Sequence, residues 1–326
     1  MTESLRVFAS DLIDYAGLFP PSKLPMDDAV ANYARYRASE DAWMLGRFIA
    51  PAARLGDFET AALPHLPDLE DIAGSGDRGG PGESPWAVSA VVSLDRLDED
   101  VERIFELNRR HSRPLGDDAD DETDGGAARL VVDAVELHVP DARAVDRALE
   151  IIPEQLDPFF EVPLGEPDRV RGIVTALAGT GAKAKIRCGG VERGLFPPID
   201  AVAGFLVDAA AAGVAFKATA GLHHPLRGEF NMTYDPDPPR CVMHGFVNVF
   251  AAAALAREAQ ADRAALERVL AETDPRAITL GKDGLAWEEL EVSVSKLARV
   301  RESFALSFGS CSFTEPTAEL RELGWL

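Results

Sequence analysis

Lysine is scarce in this chain of 326 residues. Six of its 33 basic residues are lysines (Lys23, Lys183, Lys185, Lys217, Lys282 and Lys296), set against 55 Asp and Glu and a formal charge of -22. Lys and Arg nowhere cluster, so the phosphate neutralisation that nucleic-acid binding requires has no footprint, and an anionic membrane is disfavoured for the same reason. Cysteine is rarer still. Cys188, Cys241 and Cys311 lie far apart with no CxxC pair, which argues against a disulfide framework and a thiolate zinc site and leaves Cys188 and Cys311 as structural residues. Long hydrophobic runs are missing too. The most apolar stretch, 201–216, is interrupted by Asp208 and is too short to cross a bilayer. The start, Met1 to Arg6 leading to Asp11 and Asp14, lacks the basic opening and apolar run of a secretory signal. A reducing cytoplasm is the expected compartment.

What is present is the composition of a globular protein, 46% hydrophobic and 7% aromatic, long enough for one large α/β domain or two ordinary ones. A carboxylate-rich surface with Arg in place of Lys matches adaptation to high salt, and it makes each remaining lysine a candidate for a specific role. An anionic small-molecule substrate stays compatible with the negative total, because cations focused in a cleft act locally once salt screens beyond roughly 10 Å.

Short runs rich in β-branched and aromatic residues alternate with alanine-rich segments of helical spacing. Strands are predicted at 12–19, 43–50, 86–93, 130–138, 158–164, 182–188, 214–220 and 277–280, and helices at 26–38, 97–110, 141–152, 199–212, 245–258 and 263–272. Asp141 and Asp200 are placed to cap helix starts, while Gly181 and Gly213 fall where a helix must give way to a strand. Eight strands separated by helices predict a (β/α)8 (TIM) barrel, an α/β fold of about 250 residues with room for insertions. One domain is expected over 1–326, with flexible acidic insertions at about 66–85 and 114–127.

Ionisable groups belong on neither face of a buried barrel strand, yet the predicted strands carry Arg47, Glu136 and His138, Glu161, Lys185 and Arg187, then Lys217 and Thr219. The paired ones have i, i+2 spacing and share a face. They also stand near the C-terminal strand ends, where barrel enzymes place their active sites. Lys217 is expected to project inward, where desolvation and the neighbouring Lys185 or Arg187 lower its pKa and leave a neutral amine able to attack a carbonyl. Arg187 and Arg47, with the amides of Gly189 and Gly190, are expected to hold an anionic group. Glu161 or Glu136 would move protons, with His223 or His224 as a loop acid–base group. Asp14 or Tyr15 enters the pocket from the first strand. The non-catalytic alternative is an interior ion-pair lattice, for example Glu161 with Lys185 or Glu136 with Arg187.

Lys-x-Arg-x-Gly-Gly at 185–190 and Phe-Lys-Ala-Thr-Ala-Gly at 216–221 resemble the paired-lysine strands of class I aldolases, in particular deoxyribose-phosphate aldolase. The resemblance covers roughly 182–222 and implies an aldolase-type barrel in which Lys217 forms a Schiff base and Lys185 lowers its pKa. The Gly-Gly motif precedes the Lys-Thr pair here, whereas in that family it follows, and His223–His224 has no counterpart there. Segments 217–225, 243–246 and 309–313 are similar to a second barrel family, from which no activity is carried over. The leading expectation is thus a Schiff-base lyase of a small anionic carbonyl compound, needing no cofactor. The alternatives are a lyase, isomerase or hydrolase with a divalent metal ion held by His138, His223, His224 and His244, and a non-catalytic binding protein. Nucleic acid and membrane are not expected partners; self-association into a homo-oligomer is compatible with the sequence.

Overall fold

The computed structural model describes residues 1–67, 84–112 and 128–326. The expected insertions at 66–85 and 114–127 lie outside the described residues, apart from 66–67 and 84–85.

Strands β1 (Ile13–Tyr15), β2 (Leu45–Pro51), β3 (Trp86–Val91), β4 (Leu130–His138), β5 (Asp157–Val162), β6 (Lys183–Arg187) and β7 (Phe216–Thr219) run parallel in seven successive positions of a barrel. After β7 the chain leaves the barrel for an antiparallel hairpin, β8 (Gly228–Asn231) and β9 (Arg240–Met243), and later for a three-stranded antiparallel sheet, β10 (Ile278–Leu280), β11 (Gly284–Trp287) and β12 (Leu290–Ser293). The eighth barrel strand is β13 (Ala305–Ser310), which pairs with β1 on one side and β7 on the other and closes an all-parallel (β/α)8 barrel. The eighth strand expected at 277–280 is therefore corrected: that segment is β10, outside the barrel. The apolar run at 277–280 reads as a strand because it is one, whereas β13 (ALSFGS) carries Ser307 and Gly309 on the face that meets the polar interior and shows no apolar run.

Eleven α-helices occur among the described residues. Outside the barrel stand α1 (Glu3–Ala9), α2 (Met26–Arg37), α3 (Leu55–Ala62), α4 (Leu97–His111), α5 (Ala142–Leu149), α6 (Pro167–Leu177), α7 (Ile199–Ala212), α8 (Phe246–Glu258), α9 (Arg263–Ala271), α10 (Val294–Ser303) and α11 (Thr314–Glu322). Asp141 caps α5 as expected, accepting from the Ala144 amide at 2.9 Å. Asp200 instead lies within the first turn of α7, favoured there by the helix dipole, while Pro198 takes the N-cap position. Gly213 ends α7 in the left-handed region (φ 67°), the backbone state that glycine reaches at least cost.

The segment Arg193–Ala212, which contains α7, is long and apolar enough to cross a membrane by length and composition, a property that the reading of 201–216 alone missed. In the barrel Val202, Phe205, Leu206 and Ala209 of this helix are buried, with the Phe205 ring edge-on to Phe216 of β7.

Closure at β13 depends on Phe308, which points away from the barrel interior, is fully buried and stacks on Phe246 of α8 with ring centroids 5.0 Å apart. Phe308→Ala is expected to lower unfolding free energy by about 3–5 kcal/mol, read from urea unfolding. A loss below about 1 kcal/mol would show that β13 does not carry the closure.

Candidate active site

The inward faces of the strands stack charged side chains in layers. At the N-terminal end Lys183 pairs with Asp157, and Arg47 makes a two-pronged pair with Asp133, both bonds at 2.7 Å. One layer up, Lys217 Nζ donates to Asp14 Oδ2 at 2.5 Å and to Glu136 Oε1 at 2.7 Å. The second carboxylate oxygen of Glu136 lies 3.0 Å from Lys185 Nζ, which is also 3.0 Å from Glu161 Oε2. Arg187 Nε reaches Glu161 Oε1 at 3.4 Å. Five groups thus alternate in sign from Asp14 to Glu161, and Arg187 ends the chain. Ser307 donates to Asp14 and Ser89 to Glu136, at 2.7 and 2.8 Å, and the Arg47 amide holds the other Asp14 oxygen at 2.8 Å. Phe159 lies under the lattice, 5.2 Å from Lys217 Nζ, a cation–π distance. Gly46 is required beside it, because a Cβ there would stand 2.3 Å from Asp14 Oδ1.

Exposure rises along this chain of charges, from 1% for the Lys217 side chain to 8% for Lys185, 17% for Glu161 and 43% for Arg187. That order decides which groups meet a ligand. A cavity of about 430 Å³ at the C-terminal mouth is lined by Glu136, Lys185, Glu161, Arg187, His138 and Thr219, together with Gly190, His223 and Cys311 and apolar residues such as Phe19, Ile49 and Val91. Lys217 lies beneath it and is not among its lining residues. Gly309 on β13 keeps the opening clear, since a Cβ there would approach Ile49 and Thr219 to 3.0 and 3.2 Å.

Several expectations are corrected. Lys217 was expected to be neutral; burial alone does lower its pKa, but Asp14 and Glu136 more than reverse this and hold the ammonium above its ordinary range. Burial likewise raises Glu136, yet Lys217 and Lys185 outweigh it and keep the carboxyl well below the usual carboxylate range. Glu161 follows the same logic, raised by burial and brought down further by Lys185 and Arg187. Arg47 does not join Arg187 at the mouth: it lies in a cavity at the other end of the barrel with Asp157 and Lys183, committed to Asp133. Gly189 does not line the mouth cavity either. Its missing side chain lets the β6 and β7 loops touch, because a Cβ would meet the Gly221 Cα at 2.8 Å. Glu161 with Lys185 forms the pair considered for the lattice, whereas Glu136 pairs with the two lysines and Arg187 pairs with Glu161.

The four histidines considered as metal ligands take different places. His138 stands at the exposed rim, 4.0 Å from Glu161 Oε1. His244 is buried and bridges Pro197 O at 2.8 Å and Arg227 at 3.3 Å, with burial pushing its pKa down to about 4. His223 lines the mouth, and His224 turns away to bond Glu319 at 2.6 Å and stack on Phe230. Among the described residues, the group of candidate ligand atoms that converge within 4.8 Å is His224, Glu315 and Glu319, beside the mouth rather than at its floor.

Sequence reasoning left Asp14 undecided against Tyr15; Asp14 points into the lattice and Tyr15 outward among Tyr33, Tyr36 and Phe48. It missed Cys311, Glu315 and Ser307. With no partner near it in sequence Cys311 reads as structural, yet His223, 88 residues away, comes to 4.0 Å from its sulfur.

Removing one member of such a lattice leaves its neighbours buried and under-compensated, so Glu136→Gln is expected to destabilise the protein by about 3–5 kcal/mol in denaturant unfolding. A change within about 0.5 kcal/mol of wild type would contradict the pairing. No family model, curated protein or solved structure matches this chain.

Proposed function

We propose that the protein is a lyase or aldolase of small anionic carbonyl compounds that works through an imine on Lys185. The observation that carries this reading is the position of Lys185: its amine belongs to the floor of the mouth cavity, between two carboxylates at 3.0 Å, whereas Lys217 lies beneath it and does not line the cavity. The roles implied by the aldolase resemblance are therefore exchanged in this proposal. Lys185 is the nucleophile and Lys217 the positioning residue that keeps Glu136 ionised.

Glu161, the more exposed of the two carboxylates, accepts a proton from the Lys185 ammonium. The neutral amine then adds to the substrate carbonyl carbon, and loss of water leaves an iminium whose positive charge replaces that of the ammonium between Glu136 and Glu161. Glu161 takes the proton of the substrate's β-hydroxyl, whose oxygen closes to a carbonyl on the departing fragment as the bond between the α and β carbons breaks, and the electron pair of that bond passes into the iminium and yields an enamine. Protonation of the enamine and addition of water release product and restore the amine. Glu161, with His138 at its side, is placed to carry these protons. Arg187, with 43% of its side chain exposed at the rim, supplies the cation for the substrate's anionic group.

Incubation with pyruvate or glyoxylate and borohydride, followed by peptide mapping, is expected to leave a reduced adduct on Lys185. Lys185→Ala should abolish the adduct, and Arg187→Ala should raise the half-saturating oxo-acid concentration about tenfold. An adduct on Lys217 would restore the original order of roles. No adduct with either compound, together with loss of folding in Lys185→Met, would favour the purely structural lattice.

A further inference from the structure

Cys311 stands one residue beyond the end of β13, at the mouth, and lines the same cavity as Lys185 and Arg187. Its sulfur is 4.0 Å from His223 Nε2. The other ring nitrogen, Nδ1, lies 3.2 Å from Glu315 Oε2, off the line of a hydrogen bond and with no other partner among the described residues. Tyr234 Oη donates to the same Glu315 oxygen at 3.0 Å and stands 3.8 Å from the sulfur. Thiol, imidazole and carboxylate thus follow one another in the order that nucleophilic catalysis uses: nucleophile, base, and the group that orients the base.

We propose that Cys311, His223 and Glu315 form a second reactive centre of the mouth cavity, at which the Cys311 sulfur captures the carbonyl carbon of a small anionic aldehyde or oxo acid as a hemithioacetal. The thiol proton passes to His223 Nε2 and the sulfur forms a bond to the carbonyl carbon. The C=O π pair moves onto oxygen, which takes the proton back from Nε2. Thiol and carbonyl add with no atom lost and no change in overall oxidation, so no further reactant is needed.

Three features favour this reading over a structural cysteine. Burial raises the Cys311 thiol, but His223 and, after it, Ser22 more than offset this and the net shift is downward; His223 itself is lowered by burial yet raised to about 10 by Cys311 and Glu315. The other two cysteines go the other way: burial pushes Cys188 up to about 12 in the core, and Cys241 on β9 is raised as well. The groups that face this pair are Glu315 from α11, Tyr234 from the loop between β8 and β9, and the Ser22 hydroxyl, which donates to the Cys311 carbonyl at 3.3 Å. His224 and Glu319 are paired to each other next to it.

The third feature is the placing of the cation. Gly309, Thr219 and Arg187 are aligned across β13, β7 and β6. The Arg187 backbone is thus two strand spacings, roughly 10 Å, from that of Gly309, two residues before Cys311. Both residues line the one cavity, so a small carbonyl compound that bears a carboxylate can reach the sulfur and the guanidinium within it. The proposal does not depend on an imine at Lys185, and its test contains no borohydride step.

The folded protein is treated at neutral pH with iodoacetamide or with iodoacetate, and alkylation is followed by peptide mapping. Cys311 is expected to react about tenfold faster than Cys241, and His223→Asn to slow it by about the same factor. Iodoacetate should outpace iodoacetamide at Cys311, the reverse of an unassisted thiol, and Arg187→Gln should remove that preference. Glyoxylate should protect Cys311 and leave Cys241 unprotected. Glu315→Gln, which keeps the size of the side chain, guards against an unfolded His223 variant and should also slow Cys311. The proposal is overturned if Cys311 reacts no faster than Cys241, if neither variant changes its rate while circular dichroism shows both folded, or if glyoxylate gives no protection.

Discussion

The Glu136 carboxylate, buried between the ammonium groups of Lys217 and Lys185, is the interaction on which the barrel interior depends. A single buried charge is costly, and two lysines on adjacent strands would repel each other without an anion between them. Glu136 supplies that anion, Asp14 and Glu161 supply the outer two, and the resulting row ties β1, β4, β5, β6 and β7 together. It also fixes register. A slip of one residue in β6 would turn Lys185 and Arg187 toward the helices and bring Ile186 into the charged row.

The same row distinguishes the mouth from the opposite end. At the N-terminal end Arg47 is committed to Asp133 and Lys183 to Asp157. At the C-terminal end the alternation runs out: among the described residues Arg187 has one long bond, to Glu161, and 43% of its side chain is exposed. The glycines there, Gly190 and Gly309, leave space where a side chain would close it. The cavity therefore offers an exposed guanidinium, an amine between two carboxylates and, just past β13, a thiol facing an imidazole. The proposed imine chemistry and the thiol centre both draw on this one unsatisfied end of a paired interior.

Much of this was legible in the sequence, for a physical reason: charged residues inside apolar strands have few places to go. Glu136, Lys185, Lys217 and Glu161 were found that way, and seven barrel strands with them. What was not legible depends on partners remote in sequence. The charge state of Lys217 is set by Asp14, 203 residues away, so a reading confined to its neighbours Lys185 and Arg187 gave the wrong sign. β13 escaped notice because Ser307 and Gly309 suit a polar interior and leave no apolar run. Cys311 lacked a signal altogether, since His223 reaches it only after the barrel closes.

The central claim is that the interior is an alternating row of fixed charges, and the ionisation of Lys217 tests it most directly. Lysine side-chain NMR with 15N-labelled Nζ, assigned by comparison with Lys217→Arg, would follow that group as pH rises. The account predicts that Lys217 remains an ammonium beyond the pH at which exposed lysines have lost their protons. A Lys217 amine already neutral near neutral pH would contradict it, and would return that residue to the role of nucleophile.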